Sequence, residues 1–202
     1  NSMGWLKGFH KRTGVGRVDF DLLAERSEGL IVLSGDLGSE INQHILKGET
    51  DEARELARKY RDHFGPEHYY IELIDNALPE QKKCNDELIA IAEELEIPLV
   101  ATNDCHYLHQ SDAQAHAILM CIQLGKSVEL DRLMEHGVDQ LYVRSAEEMY
   151  EAFSHVPEAC ENTVKIAERC DLEIPLGEVY LPQYDVPQEF LDARGITDPK
   201  EA

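Results

Sequence analysis

Basic residues are scarce in this sequence: 19 Lys and Arg stand against 40 Asp and Glu in 202 residues, a formal net charge of −21. A surface of that sign repels phosphate backbones, so this region is not expected to grip DNA or RNA itself. Most of the acidic residues read as solvated helix faces. Long apolar runs are missing too. None approaches the roughly 20 residues that a membrane helix needs, and the start has no signal-peptide pattern, so the expectation is a cytoplasmic protein. Cysteine is sparse and unpaired in pattern: Cys84, Cys105, Cys121, Cys160 and Cys170 are five in number with no C-x-x-C among them. That argues against a disulfide framework and for reduced thiols, mostly buried in helices.

What is present is a globular composition, 43% hydrophobic, with room for one large domain or a domain and a tail. The most informative stretch is Leu99 to Tyr107, LVATNDCHY. An apolar, β-prone run from Pro98 to Thr102 stops at Asn103, and a carboxylate, a thiol and an imidazole follow at once. In α/β folds the loops at the carboxyl ends of parallel strands hold ligands, because the strand fixes the backbone while the loop presents side chains. Asp104 and His106 are one residue apart, so in an extended segment they point the same way and can share an ion. The bland alternative is that Asp104 caps a turn and His106 packs under the next helix.

Along the chain, Asn1 to Gly16 holds Trp5 and Phe9 and ends in a basic, glycine-punctuated loop, an opening that reads as the middle of a domain. Asp19 is an expected N-cap for a short helix ending near Gly29. Leu30–Leu33 is an apolar run of buried-strand type that leads into Asp36. Helices are expected at Glu40–Lys47, capped by Gly48, and at Asp51–Phe64. A second strand, Tyr69–Ile74, ends in Asp75 and Asn76. Pro79 opens a helix with an inward stripe of Cys84, Leu88, Ile91, Ala92 and Leu95. Ser111 with Gln114 predicts a capping box for a helix to Leu124 carrying Ala115, Leu119 and Ile122 on one face. Residues 126–140 read as a surface excursion and Leu141–Val143 as a short strand. Ser145 with Glu148 forms a second capping box, and Pro157 starts a last helix with Ala159, Cys160, Val164 and Ala167 inward. From Ile174 the chain is proline-rich (Pro175, Pro182, Pro187) and reads as an extended segment.

Strands separated by helices make a right-handed parallel βαβ series whose polar loops face one way. Asp36, Asp104 and His106 are therefore the candidate metal ligands, gathered at the carboxyl edge of one sheet. The competing reading is that Asp36 and Asp75 only cap turns.

LIVLSGDLGSEI, YYIELIDNALPEQ, PLVATNDCHYL, AHAILMCIQLGK, YVRSAEEMYEAF, ENTVKIAERCDLEIPLG and YLPQYDVP resemble, in order and spacing, the polymerase-and-histidinol-phosphatase (PHP) domain of bacterial C-family replicative DNA polymerases. The resemblance covers about Trp5 to Pro187. It implies part of a distorted (β/α) barrel, with residues 1–172 as the C-terminal half of the PHP domain and 173–202 as a linker toward the polymerase thumb and palm. It also implies a site for divalent metal (Zn²⁺, Mn²⁺ or Mg²⁺), most of whose ligands lie in the first half of the domain. Asp104 and His106 match the last two metal ligands of the family, whereas Asp36 stands where the family carries a cysteine. Aspartate binds such ions through oxygen, with a harder metal preference. Cys105 is expected to pack on the opposite side of the loop.

Two functions of different class follow from the resemblance. The intact domain is either a metal-dependent 3′–5′ exonuclease or phosphoesterase, or a vestigial module that acts as a scaffold and docking surface. A free-standing PHP phosphatase is a third, weaker reading. The implied partners are the remainder of the polymerase subunit and other replisome subunits, with DNA reached through other domains.

Overall fold

The computed structural model describes residues 18–125, 139–174, 176, 177, 189 and 192. The expectations for Trp5, Phe9 and the glycine loop, for most of the 126–140 excursion, and for Pro175, Pro182 and Pro187 lie outside the described residues. The chain divides into two compact units, Asn1–Cys170 and Asp171–Ala202. All the elements named below belong to the first unit.

Three parallel strands make its sheet, in the order β1 (Val32–Leu33), β2 (Tyr69–Ile74) and β3 (Leu99–Thr102). Val32 pairs with Tyr69, and Ile71 to Ile74 pair with Leu99 to Thr102. All three strands therefore run the same way, and their polar loops follow their carboxyl ends. β1 is shorter than the apolar run Leu30–Leu33. Leu30 N–H is committed to the Ser27 carbonyl at 3.0 Å, closing a turn, and strand pairing begins only where Val32 N–H reaches His68 O at 2.7 Å.

Among the described residues the helices are α1 (Phe20–Ala24), α2 (Glu40–Lys47), α3 (Thr50–Phe64), α4 (Pro79–Leu95), α5 (Ala113–Leu124), α6 (Ala146–Ala152) and α7 (Pro157–Arg169). Asp19 caps α1 through Leu22 N–H, and Gly48 ends α2 in the left-handed conformation at φ 83°, where a Cβ would be strained. The predicted stripe of α4 is buried in full: Cys84, Leu88, Ile91, Ala92 and Leu95 join Ile71, Leu73, Leu99 and Ala101 of the strands in one core. An aromatic group of Phe20, Tyr60, Phe64 and Tyr69 extends it, with Tyr60 and Tyr69 stacked at 5.5 Å.

Three helix expectations need correction. The turn before α5 is a 3₁₀ segment, Gln110–Asp112, whose capping box joins His109 and Asp112 rather than Ser111 and Gln114. The face of α5 with Ala115, Leu119 and Ile122 is exposed, while Cys121 is buried. The sequence AILMCI is apolar around most of the helix, so periodicity does not fix which side turns inward. In α7, Ala159 and Cys160 are buried as expected, but Val164 and Ala167 are exposed and Asn162 takes an inward place. Its amide donates to Leu99 O at 2.8 Å, satisfying a carbonyl of β3 that would otherwise be buried unpaired. Leu141–Val143 forms only an isolated parallel bridge, Tyr107 with Tyr142. The Ser145–Glu148 capping box is present. No helix among the described residues is long and apolar enough to cross a membrane.

Candidate metal centre

β3 carries the chain into the sheet core and releases it at Asn103, which is buried. Asp104 is next, with φ 45°, a left-handed conformation that costs an L-residue energy and that Asp and Asn tolerate best. The segment is thus not extended at Asp104. It is this left-handed residue, rather than strand alternation, that turns the carboxylate back toward the imidazole: Asp104 Oδ1 and His106 Nε2 lie 3.2 Å apart, with both side chains half-exposed. Two donors bound at about 2.0 Å to one tetrahedral ion are about 3.3 Å apart, so the pair has the spacing of one edge of a metal site. The same distance suits an ion pair if His106 is protonated.

The loop is held from the far side by residues 140–142. His106 N–H donates to Leu141 O at 2.8 Å, and Cys105 Sγ donates to Tyr142 O at 3.4 Å. Cys105 is exposed rather than packed, with its thiol on the Tyr142 carbonyl. Beside it, β3, α6 and α7 enclose a cavity of about 370 Å³ whose wall includes Thr102, Asn103, Arg144 and Met149. His116, from the first turns of α5, sets its ring 5.3 Å from that of His106. The D-x-H pattern alone misses this neighbour. A histidine just inside the helix that follows such a loop is the sequence signal that finds it.

Asp36 has a different role in the described residues. Its Oδ1 accepts Gly38 N–H at 2.9 Å and its backbone carbonyl accepts from Asn42 Nδ2 at 2.8 Å, an Asx turn leading into α2. Asp75 does the same, accepting Ala77 N–H at 3.0 Å. Asp36 lines a small cavity of about 10 Å³ with Asn42, Glu72, Gln81 and Cys84. Burial pushes the Cys84 thiol up, which keeps it protonated and a poor ligand. Glu72 accepts Gly35 N–H at 3.1 Å and the Thr102 hydroxyl at 2.6 Å, so it ties the loop after β1 to the end of β3 across β2. Among the described residues no group of three or more His, Cys, Asp or Glu is arranged to hold a metal ion. Asp104 and His106 come together; Asp36 does not join them.

Comparison with known proteins shows what the chain is similar to. The PHP domain model matches residues 1–76. The DNA polymerase III subunit alpha of Treponema pallidum is 42% identical over 190 residues, 94% of this chain and 16% of that protein. The corresponding subunit of Deinococcus radiodurans is 40% identical over 93% of this chain and 14% of its own length. That of Escherichia coli K12 is 38% identical over 83% of this chain and 14% of its own length. The chain is similar to one stretch of these DNA polymerase III alpha subunits. It spans only 14% to 16% of the length of these three curated relatives. Its first part is similar to a PHP domain, and its α/β architecture with a parallel sheet fits part of a PHP barrel. The PHP match ends at Asn76, before Asp104 and His106, whereas a match over 190 of 202 residues necessarily spans both.

Proposed function

We propose that this chain contributes the Asp104–His106 edge of a divalent-metal site to the PHP domain of a C-family replicative DNA polymerase. Residues 1–172 form the second half of that domain, and 173–202 lead toward the polymerase thumb and palm. The observation that carries the reading is the 3.2 Å approach of Asp104 Oδ1 to His106 Nε2 at the carboxyl end of β3. A mixed oxygen and nitrogen pair suits Zn²⁺ or Mn²⁺, and Mg²⁺ less well. Asp104 would supply charge and a carboxylate oxygen, His106 a neutral imidazole nitrogen. A divalent ion bound there supplies an activated water and neutralises a leaving oxygen, the chemistry of phosphodiester hydrolysis. On this reading the intact domain is a 3′–5′ exonuclease or phosphoesterase within a cytoplasmic DNA-directed DNA polymerase. Its partners are the remainder of the subunit and other replisome components, and DNA is held elsewhere because this region is strongly acidic.

A second reading, that the module is a scaffold with a decayed site, is favoured by Asp36, which caps its own turn and joins no group of potential ligands among the described residues. Co²⁺ titration followed by its visible absorption, with elemental analysis of the purified chain, separates the two. Two protein donors predict weak, saturable binding that is lost in Asp104→Asn, and no stoichiometric metal carried through purification. Binding that Asp104→Asn leaves unchanged refutes the site. A tightly held equivalent of metal that disappears in Asp104→Asn refutes the scaffold.

A further inference from the structure

Behind the Asp104–His106 loop lies a buried cluster of side-chain amides that neither the fold's apolar core nor the proposed metal chemistry uses. Asn76 follows β2, Asn103 follows β3, and Gln81 stands in the first turns of α4; all three are buried, Asn76 to 1% exposure. Asn76 and Gln81 are joined twice: Asn76 N–H donates to Gln81 Oε1 at 2.7 Å and Gln81 Nε2 donates to Asn76 Oδ1 at 2.9 Å. Asn76 Nδ2 then donates to Asn103, reaching its carbonyl at 3.1 Å and its Oδ1 at 3.2 Å. Asn103 Nδ2 in turn donates to Gln140 O at 2.9 Å and Tyr142 O at 2.6 Å.

We propose that the chain Gln81–Asn76–Asn103 is a positioning clamp that fixes the Asp104–His106 loop. Asn103 is the last residue before the left-handed Asp104, and both of its amide protons are given to the strip 140–142. That strip in turn accepts the His106 N–H at Leu141 O, 2.8 Å away. Asp104 and His106 are thereby bracketed, upstream by the Asn103 amide and downstream by a backbone bond to the strip that the same amide holds. Asparagine is suited to this because it offers a donor pair and an acceptor at once, and in a buried site each unmet group is costly. A satisfied buried network of this kind rigidifies what it touches. Asn76, Gln81 and Asn103 are positioning residues that act through the loop. That the clamped loop serves a metal rests on the metal reading above; that it is clamped does not.

The test is hydrogen exchange of individual amides in the metal-free chain, read by NMR, in Asn103→Asp and in Gln81→Met. Asn103→Asp keeps the shape and the acceptor facing Asn76 but removes both donors to the strip. The His106 amide should lose protection at least about tenfold while Leu73 and Val100, in β2 and β3, keep theirs. Gln81→Met, which is close in volume, should shift His106 in the same direction by less, and it carries the test if Asn103→Asp does not fold. His106 protection that is unchanged in the folded variants overturns the clamp, and so does a fall shared equally by the strand amides. Co²⁺ titration of the same variants reports on the metal reading separately. Binding that is absent or insensitive to Asp104→Asn sinks that reading, while local loss at His106 still upholds the clamp.

Discussion

Leu88→Ala probes the packing on which the whole site rests. Leu88 is 1% exposed on α4, facing the core beneath β2 and β3 and bordering the small cavity beside Asp36. Truncation removes about three carbons, or about 2.4 kcal/mol at about 0.8 kcal/mol per buried methylene. A void of roughly 30 to 60 Å³ left behind adds about 1 kcal/mol. The neighbours on its own stripe, Cys84, Ile91 and Ala92, are held by a helix fixed at both ends, so collapse is limited. The expected loss is about 3 to 4 kcal/mol. Urea unfolding followed by circular dichroism measures it, with an unchanged slope showing that the unfolded state is the same. A loss below about 0.5 kcal/mol would mean that the α4 stripe does not carry the core.

Two further outcomes follow from local features. Tyr142 Oη donates to Glu148 Oε1 at 2.6 Å, and this bond together with the Ser145 N–H holds the Glu148 carboxyl below its usual range, while the same bond pushes the Tyr142 phenol up. The contribution of Glu148 is therefore present above the ordinary glutamate pKa of about 4.3 and is lost as pH falls through the lower folded value. Carbon NMR should show Glu148 titrating low in the native chain and moving up in Tyr142→Phe; no movement would remove Tyr142 as the cause. Ala77 sits at φ 65° with an exposed side chain, so Ala77→Gly should stabilise by about 0.5 to 1 kcal/mol in thermal or urea unfolding, and a destabilised variant would refute the strain.

The elements that were legible in the sequence are those whose signals are local and redundant. α4 has Pro79 at its start and a stripe at three- and four-residue spacing; α2 has Gly48 at its end; β2 is an apolar run with no competing period. Parallel pairing followed from helices between strands. α5 was misoriented because its apolar residues nearly surround it, and α7 because the need of Leu99 O for a donor placed Asn162 inward. The Asp104–His106 contact was anticipated, although for the wrong geometric reason, since one left-handed residue makes it. The Asn76–Gln81–Asn103 cluster was not visible, because amides far apart in sequence carry no periodic mark and meet only when β2 and β3 are in register.

The left-handed turn at Asp104 places folding and chemistry in opposition at one position. A glycine there would follow the same loop path with less backbone strain, a gain of about 0.5 kcal/mol or less because Asp tolerates this region better than Ala and glycine loses more entropy on folding. On the metal reading proposed above, the carboxylate is the more costly choice for folding and is kept for the ion it would bind. On that reading a change to glycine at residue 104 would leave the loop standing and the core untouched, and would take the carboxylate from the site in a single step.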